Sequence, residues 1–197
     1  MKVASLLLLV LLSGCASQAV EPSYYLLRSN QDLPSSKLSP SVDFALGTIE
    51  IAPYLNQLGL VIDMADSQIR PAVNHLWAEP IYDGVRSLLT ADIAKANGQE
   101  LMPANLSKDA TVVNIRIDKL DGTLDGRAQI VAYWWLVRND EVVDLNRFSK
   151  SRALRADGYS AMVDAETALL EELAKKIAAS LVPPPPKYKS KPKLGAG

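Results

Sequence analysis

The side chains that most often carry out catalysis are scarce in this 197-residue chain, which contains one histidine and one cysteine. A Ser-His-Asp hydrolase pairs its histidine with a nucleophilic serine, yet His75 is accompanied by no Gly-x-Ser-x-Gly motif. Most metal sites need several histidine or cysteine ligands, and both glycine-rich phosphate-binding motifs are absent from the sequence. We therefore expect no catalytic residue, no metal site and no cofactor, and we do not expect an enzyme.

Two groups of acidic residues could suggest chemistry, but both have simpler structural explanations. Residues 121–126 place Asp and Gly as a calcium-binding loop does, whereas Thr123 and Ala132 stand where such a loop needs Asp or Asn and a bidentate Glu. We interpret this stretch as a turn. Glu171 and Glu172 fall on the predicted solvent side of the last helix, where no pocket would raise a carboxyl pKa. We interpret them as surface charges.

Cys15 is the residue for which the sequence predicts a definite chemistry. Lys2 precedes an almost entirely apolar run over residues 3–12, which is typical of a secretory signal. The run ends in four residues that resemble the lipobox of bacterial lipoproteins, namely Leu12, Ser13, Gly14 and Cys15. The resemblance implies cleavage before Cys15, a diacylglycerol on its sulfur and a fatty acyl chain such as palmitate on its new amino group. The alternative is an ordinary signal peptide with a free cysteine nearby.

The residues after Cys15 predict which membrane would hold such an anchor. In proteobacterial lipoproteins an Asp at this point typically favours retention in the inner membrane, whereas this chain has Ala16 and Ser17. We therefore expect a lipid-anchored protein on the periplasmic face of the outer membrane. Several acyl chains, at roughly 0.8 kcal/mol per buried methylene, would make that anchor almost permanent.

Composition and charge exclude other classes. The 22 acidic and 21 basic residues give a net charge of -1, which offers no reason to bind nucleic acid. A hydrophobic content of 48% is too high for a disordered chain. No apolar run approaches the roughly 18 residues of a membrane-spanning helix. We expect one globular domain.

The sequence divides into four parts. Residues 1–14 form the predicted lipoprotein signal peptide, residues 15–22 a lipidated tether and residues 23–182 the globular domain. The tail at 183–197 begins with four prolines, which favour a stiff polyproline II spacer, and continues with spaced lysines. We interpret the tail as disordered, and its role is left open.

Hydrophobic periodicity predicts the elements that must position these residues. Apolar residues at helical spacing predict one helix that begins after Pro80 and ends at Asn97-Gly98, and another over residues 159–181. In the second helix, lysines four residues after Glu171 and Glu172 supply opposite charges. The predicted strands cover residues 24–28, 44–51, 60–64, 69–73, 111–118, 127–138 and 141–154. The fold class is α/β, a single layered domain whose mixed or largely antiparallel sheet, with a three-strand meander, carries two main helices.

The strand at 127–138 contains an aromatic run whose members alternate between its faces. Its even positions are apolar and are expected to face the core. Tyr133 and Trp135 therefore point to the other face together. They either lie under a helix, which is the interpretation we favour, or form an exposed patch of the kind enriched at interfaces.

Four segments in order resemble the ABC-type transport auxiliary lipoproteins, the PqiC family, over about residues 15–181. They are the lipobox, Tyr24-Tyr25-Leu26, residues 74–80 before the first helix and residues 157–163 at the start of the last helix. The resemblance implies an outer-membrane lipoprotein that works with MCE-domain proteins and an ABC transporter to move lipids across the periplasm. It also implies a folding role for Trp77 near the first helix, with a partner contact as the alternative.

The leading hypothesis is a non-enzymatic subunit that docks the periplasmic conduit of an MCE/ABC-type lipid transport system to the outer membrane. Its expected partners are an MCE-domain periplasmic protein and, through the lipid anchor, the outer membrane. No nucleic acid is expected, and a homo-oligomer is left open. The candidate partner contacts are Trp77, Tyr133 and Trp135. The alternative function is a periplasmic carrier or binding protein for a lipid or other amphiphile.

Overall fold

The structure is a computed structural model that describes residues 20–29, 38–107 and 109–182. The lipobox residues Leu12, Ser13 and Gly14, the predicted lipid attachment at Cys15 and the tail at 183–197 lie outside this range. Within it, the chain forms one sheet of eight strands and two long helices. The elements are β1 (Ser23–Tyr25), β2 (Ser39–Ile51), β3 (Gly59–Asp63), β4 (Ile69–Trp77), α1 (Ile81–Asn97), β5 (Gln99–Pro103), β6 (Thr111–Thr123), β7 (Arg127–Arg138), β8 (Glu141–Ala153) and α2 (Tyr159–Ser180).

Strand β6 organises the sheet because three strands pair with it. Strand β7 runs antiparallel along one edge of β6, and β8 runs antiparallel beyond β7. The other edge of β6 is shared by β2 at Thr111–Ile117 and by β3 at Gly122 and Thr123, both parallel. Strand β5 lies parallel to β2, while β4 is antiparallel to β3 and parallel to β1. The predicted α/β class with a mixed sheet is confirmed.

Tight turns produce the predicted meander of β6, β7 and β8. Asn139 and Asp140 both adopt positive φ angles, 50° and 62°, as the two central residues of a hairpin turn that matches strand twist. Gly126 adopts a φ of 72° in the preceding turn. These local conformations bring Ile115 opposite Trp134 and Trp134 opposite Asn146. The meander is therefore confirmed.

Both helices also begin and end close to where the pattern predicts. Pro80 stands just before α1, and Gly98 ends it in the left-handed conformation, with a φ of 74°. Helix α1 packs against α2, β2 and β5, and α2 packs against β6, β7 and β8. The helix side chains that face the sheet are fully buried, for example Leu89, Ile93 and Leu169. One core therefore fills the space between the two helices and one face of the sheet.

Several boundaries differ from the prediction because they depend on long-range pairing. Strand β5 was missed, since Gln99–Pro103 is short and begins with polar residues. Its pairing with Ser39 and Pro40 also extends β2 beyond the predicted 44–51. Strand β1 ends at Tyr25 because only three of its residues pair with β4.

The predicted surface ion pair between Glu172 and Lys176 is wrong. Glu172 is half-buried at the β8 side of α2, where it pairs with Lys150 and Arg152. The Lys150 ammonium, followed by the Arg152 guanidinium, lowers the pKa of Glu172. The carboxylate thus joins a helix to an edge strand.

Candidate functional site

Among the described residues, neither a metal-ligand cluster nor a helix suited to span a membrane is found. No group of three His, Cys, Asp or Glu side chains in this part of the chain is arranged to hold a metal ion. None of the described helices is long and apolar enough to cross a membrane. The search for a site therefore turns to the surfaces of the sheet.

We use the term open face for the side of the sheet opposite the helices. The even residues of β7 point to the helices, and the Trp134 indole nitrogen donates a hydrogen bond of 2.9 Å to Ser180 Oγ on α2. Tyr133 and Trp135 point the other way and are half-buried. The expectation that a helix covers them is wrong, because α2 packs against β7 on the side of the even residues, which are buried.

Cross-strand neighbours surround the two aromatic rings of the open face. Trp135 stands between Asn114 of β6 and Leu145 of β8, and Tyr133 stands opposite Arg147. The Arg147 guanidinium carbon lies 5.9 Å from the Tyr133 ring centroid, a cation-π contact. Leu145 keeps 68% of its side-chain surface exposed.

Val142, which is 61% exposed and lies opposite Val137, belongs to the same surface as Tyr133, Trp135, Leu145 and Arg147. We call this surface the open-face patch. The patch is defined by five residues: Tyr133, Trp135, Val142, Leu145 and Arg147. It combines aromatic rings, exposed aliphatic groups and one arginine. Aromatic and arginine side chains are the ones that interface cores favour.

Glycine and asparagine fix the sheet beside the patch. Between Leu46 and Ile49 the pairing of β2 with β6 shifts register. Asn114 Oδ1 reaches across this irregularity and accepts hydrogen bonds from the Thr48 amide, at 2.9 Å, and from the Thr48 hydroxyl, at 3.0 Å. A Cβ at Gly47 would lie 2.3 Å from Asn114 Oδ1, so a larger residue there would displace the asparagine side chain. The neighbour of Trp135 is thereby held in place.

Trp77 has a structural role and is not a partner contact. Its side chain is 5% exposed and belongs to the core cluster. Its backbone amide donates a hydrogen bond of 2.7 Å to the Leu58 carbonyl. The interpretation of Trp77 as a partner contact is therefore wrong, because a buried ring offers no surface.

His75 joins three elements. Its Nδ1 lies 2.9 Å from the Tyr25 hydroxyl of β1, and its ring stacks on Tyr159 of α2 with centroids 4.1 Å apart. The histidine lies at the end of β4 and is packed between two tyrosines. This arrangement indicates a structural role.

A polar cluster at the far end of β6 was not predicted. Asp121 is fully buried at the end of β6 and not in the predicted turn. Tyr54 and Gln129 each donate a hydrogen bond of 2.8 Å to one of its carboxyl oxygens. Burial raises the pKa values of both Asp121 and Tyr54. The cluster thus joins β6, β7 and the turn after β2 through one buried carboxyl group.

Glu166 is a second buried carboxyl that the helical pattern did not reveal. It lies on α2 with 1% of its surface exposed, and its Oε2 has no hydrogen-bond partner among the described residues. Burial, with a smaller contribution from the charge of Asp121, raises the pKa of Glu166 to about 8. It is therefore mostly protonated at neutral pH.

Two surface clefts in the described part of the chain have mixed linings. One of about 460 Å³ lies between β8 and α2, with Arg152, Arg155 and Asp164 among the residues that line it. The other, of about 510 Å³, lies beside the end of β2 and includes Glu50 and Arg116. Both carry acidic and basic groups, and the second also has apolar lining residues such as Ile49, Ile51 and Pro53.

Comparisons with known proteins agree with this architecture. A protein-family model described as ABC-type transport auxiliary lipoprotein component matches residues 24–178. Proteins named Intermembrane transport lipoprotein PqiC, from Escherichia coli (strain K12) and Shigella flexneri, are each 25% identical to this chain over 169 residues, which is 85% of this chain and 90% of theirs.

Two solved structures share the fold. One, described only as an uncharacterized protein, has a TM-score of 0.70 and 23% identity, over 82% of this chain and 99% of its own. The other, protein XCC0632 from Xanthomonas campestris, has a TM-score of 0.63 and 12% identity, over 79% of this chain and 92% of its own. At these identities the likeness concerns the fold alone.

Proposed function

Because the chain belongs to the family of ABC-type transport auxiliary lipoproteins, we propose that it docks the periplasmic conduit of an MCE/ABC-type lipid transport system to the outer membrane. The docking subunit is non-enzymatic and carries a lipid anchor at one end of its chain. The observation that carries the proposal is the open-face patch, an aromatic surface on a sheet face without a covering helix among the described residues. It supplies the attachment for a protein partner that the family role requires.

The lipid anchor is the first part of the proposal. Cleavage after Gly14 leaves Cys15 at the new amino terminus, where it carries the diacylglycerol and a further acyl chain such as palmitate. Ala16 and Ser17 then direct the protein to the periplasmic face of the outer membrane. The support for this part is the order of Leu12, Ser13, Gly14 and Cys15 directly after an apolar signal segment.

Replacement of Cys15 tests the anchor. The Cys15→Ser variant should lose metabolic labelling by palmitate and leave the outer-membrane fraction, because serine cannot accept the thioether-linked lipid. The double variant Ala16→Asp with Ser17→Asp keeps Cys15 and should be labelled, yet it should move to the inner-membrane fraction. Labelling of Cys15→Ser would contradict lipidation at Cys15, and outer-membrane sorting of the double variant would contradict the sorting role of Ala16 and Ser17.

The partner surface is the second part of the proposal. The MCE-domain periplasmic protein binds the open-face patch through Tyr133 and Trp135, with Leu145 and Arg147 at their sides. Half-buried aromatic rings are held rigidly by their cross-strand neighbours, so little side-chain entropy is lost on binding. The observed cation-π contact places Arg147 ready for an acidic or aromatic group on the partner.

Site-specific photo-crosslinking in cells tests the partner surface. A photoreactive amino acid at Leu145, which is 68% exposed, should crosslink to an MCE-domain protein identified by mass spectrometry. The same amino acid at Leu124, which is 65% exposed in the turn between β6 and β7, is the matched control and should not. Equal crosslinking from both positions, or a crosslink from Leu145 only to another copy of this chain, would overturn the assignment.

No observation on the described residues favours the alternative of a lipid carrier. Side chains fill the space between the helices and the sheet, as the fully buried Leu89, Ile130 and Leu169 illustrate. The two clefts described above lie at the surface, and each carries both acidic and basic groups. Lipid that co-purifies with the soluble domain in stoichiometric amounts would revive the carrier hypothesis.

A further inference from the structure

A second group of exposed apolar side chains lies at the opposite edge of the sheet from β8. Tyr24 is 63% exposed, Leu26 44%, Leu58 66% and Val73 84%. Exposed apolar residues scattered one by one are ordinary on a protein surface. These four belong to three segments that converge, and the partner surface proposed above does not use them.

Backbone pairing brings the three segments together. Tyr24 of β1 lies opposite Leu76 of β4. The carbonyl of Leu58 accepts a hydrogen bond of 2.7 Å from the amide of Trp77, the residue after Leu76. Strands β3 and β4 approach closely here, because a Cβ at Gly59 would lie 2.3 Å from the carbonyl oxygen of Ala72. Val73 therefore lies on β4, the strand that pairs with β1, and Leu58 lies just across β4 from β1. We call these four residues the β1 edge.

Strand β4 is irregular where it pairs with β3. Gly59 pairs with Leu76 and Val61 with Pro71, so residues 72–75 bulge opposite the single residue Leu60. The nearest ion pair joins Arg28 Nη1 to Glu79 Oε1 at 2.6 Å and cancels both charges. Sheet edges that face water are usually protected by charged residues. Glu21 and Arg70 are exposed charges nearby in the sequence, whereas the four residues of the edge are apolar and suit a less polar environment.

The length of the tether indicates what that environment is. Ser23, the first residue of β1, follows Cys15 by eight residues. Even a fully extended chain of this length spans at most about 29 Å. An acyl-anchored Cys15 would therefore hold β1 within this distance of the bilayer, and Val20 on the tether is itself 70% exposed.

We propose that the β1 edge rests on the lipid surface of the membrane and gives the domain a second contact beside its acyl anchor. Tyr24 contributes an amphipathic ring of the kind that partitions to the interface of a bilayer. Leu26, Leu58 and Val73 enter the headgroup region. This inference rests on the lipid anchor of the proposed function.

The contact would set the orientation of the whole domain. Strand β8 lies five strand spacings from β1 along the sheet, which at about 4.8 Å each is roughly 24 Å. When β1 rests on the membrane, the open-face patch is held away from it on the periplasmic side. The two apolar surfaces then serve two different partners, lipid and protein.

Chemical tethering tests the contact. Cys15 is the only cysteine, so the chain from Cys15 onward can be coupled through its thiol to a maleimide lipid in vesicles of phosphatidylethanolamine and phosphatidylglycerol. The reference is the same protein capped with N-ethylmaleimide. Hydrogen exchange at residues 23–26 and 69–74 should be about threefold slower or more on vesicles. Exchange in β8 should not change.

Matched variants separate the contact from simple proximity. The triple variant Tyr24→Ser, Leu26→Ser, Val73→Ser remains tethered at Cys15 and should lose the slower exchange. The control variant Leu106→Ser with Leu124→Ser removes side chains of 66% and 65% exposure elsewhere and should keep it. Thermal melting of the capped proteins checks that both variants are folded.

Equal exchange with and without vesicles, or equal protection in the wild type and the triple variant, would overturn the inference. Slower exchange in β8 alone would place the membrane contact at the opposite edge of the sheet and contradict the inference. Because the coupling is chemical, none of these results depends on lipidation in cells. Failure of the lipid anchor is detected separately by labelling of Cys15→Ser.

Discussion

The two faces of β7 are made by the same 12 residues and have opposite environments. The even residues Ala128, Ile130 and Ala132 are fully buried beneath the helices, and Trp134 is 5% exposed. The odd residues, including Tyr133 and Trp135, are half-buried among cross-strand neighbours. Two adjacent tryptophans thus have different roles: Trp134 stabilises the fold, and Trp135 is available to a partner. Aromatic character alone does not distinguish the roles, whereas the side that the helices occupy does.

The largest expected effect is on the helix side. Trp134→Ala should lower the free energy of unfolding by about 3 to 5 kcal/mol, because it leaves a large cavity and removes the hydrogen bond to Ser180. Ser180→Ala keeps the indole in place but removes this hydrogen bond and the one that Ser180 Oγ donates to the Ile177 carbonyl, and it should cost about 1 to 2 kcal/mol. Urea unfolding measures both. A loss below 1 kcal/mol for Trp134→Ala would show that the two faces of β7 do not differ as described.

The next effect concerns the buried carboxyl on the same side. The pKa of Glu166 is about 8 when folded and near 4.3 when unfolded. Between these values only the unfolded state is ionised, so stability falls as the pH rises and levels off above about 8. Between pH 5 and 7.5 this loss amounts to roughly 3 kcal/mol, at 1.36 kcal/mol per unit.

Glu166→Gln should abolish this dependence because glutamine does not ionise. Its stability relative to wild type should therefore improve from pH 5 to pH 7.5, whatever constant cost the amide brings. Urea unfolding at the two pH values measures the difference. A constant offset between the two proteins would indicate that Glu166 is solvated or paired in the folded state.

A third prediction concerns the open face. Tyr133→Ser with Trp135→Ser should weaken capture of the proposed MCE-domain partner by about 2 kcal/mol or more, as loss of aromatic hot spots does. Stability should fall less than in Trp134→Ala, since both rings are half-exposed to solvent and lie under no helix. Pull-down beside urea unfolding separates the two effects. A stability loss as large as that of Trp134→Ala, with unchanged capture, would reverse our assignment of the faces.

Features encoded by neighbouring residues were predictable from the sequence. Helix α1 was located correctly by Pro80 at its start and Gly98 at its end. The meander followed from its turn residues. Alternation in β7 correctly placed Tyr133 and Trp135 on one face.

Features that depend on distant residues were not predictable. Strand β5 exists because β2 pairs with it, and periodicity alone cannot indicate whether helices cover one face of the sheet or both. The helical pattern likewise treats Glu166 as an ordinary polar position, although it points into the core. Glu172 was assigned to solvent because its partners, Lys150 and Arg152, come from another element.

The smallest expected effect sharpens the comparison within the open face. Arg147 contacts the Tyr133 ring through a cation-π interaction at 5.9 Å, which at an exposed site is worth about 0.5 to 1 kcal/mol. Arg147→Ala should therefore weaken partner capture by no more than a few-fold and leave unfolding nearly unchanged. Arg147→Lys keeps the charge but loses the planar group, and should bind between wild type and alanine. If instead both variants bind as wild type does, the partner contacts the rings of the patch and not its cation.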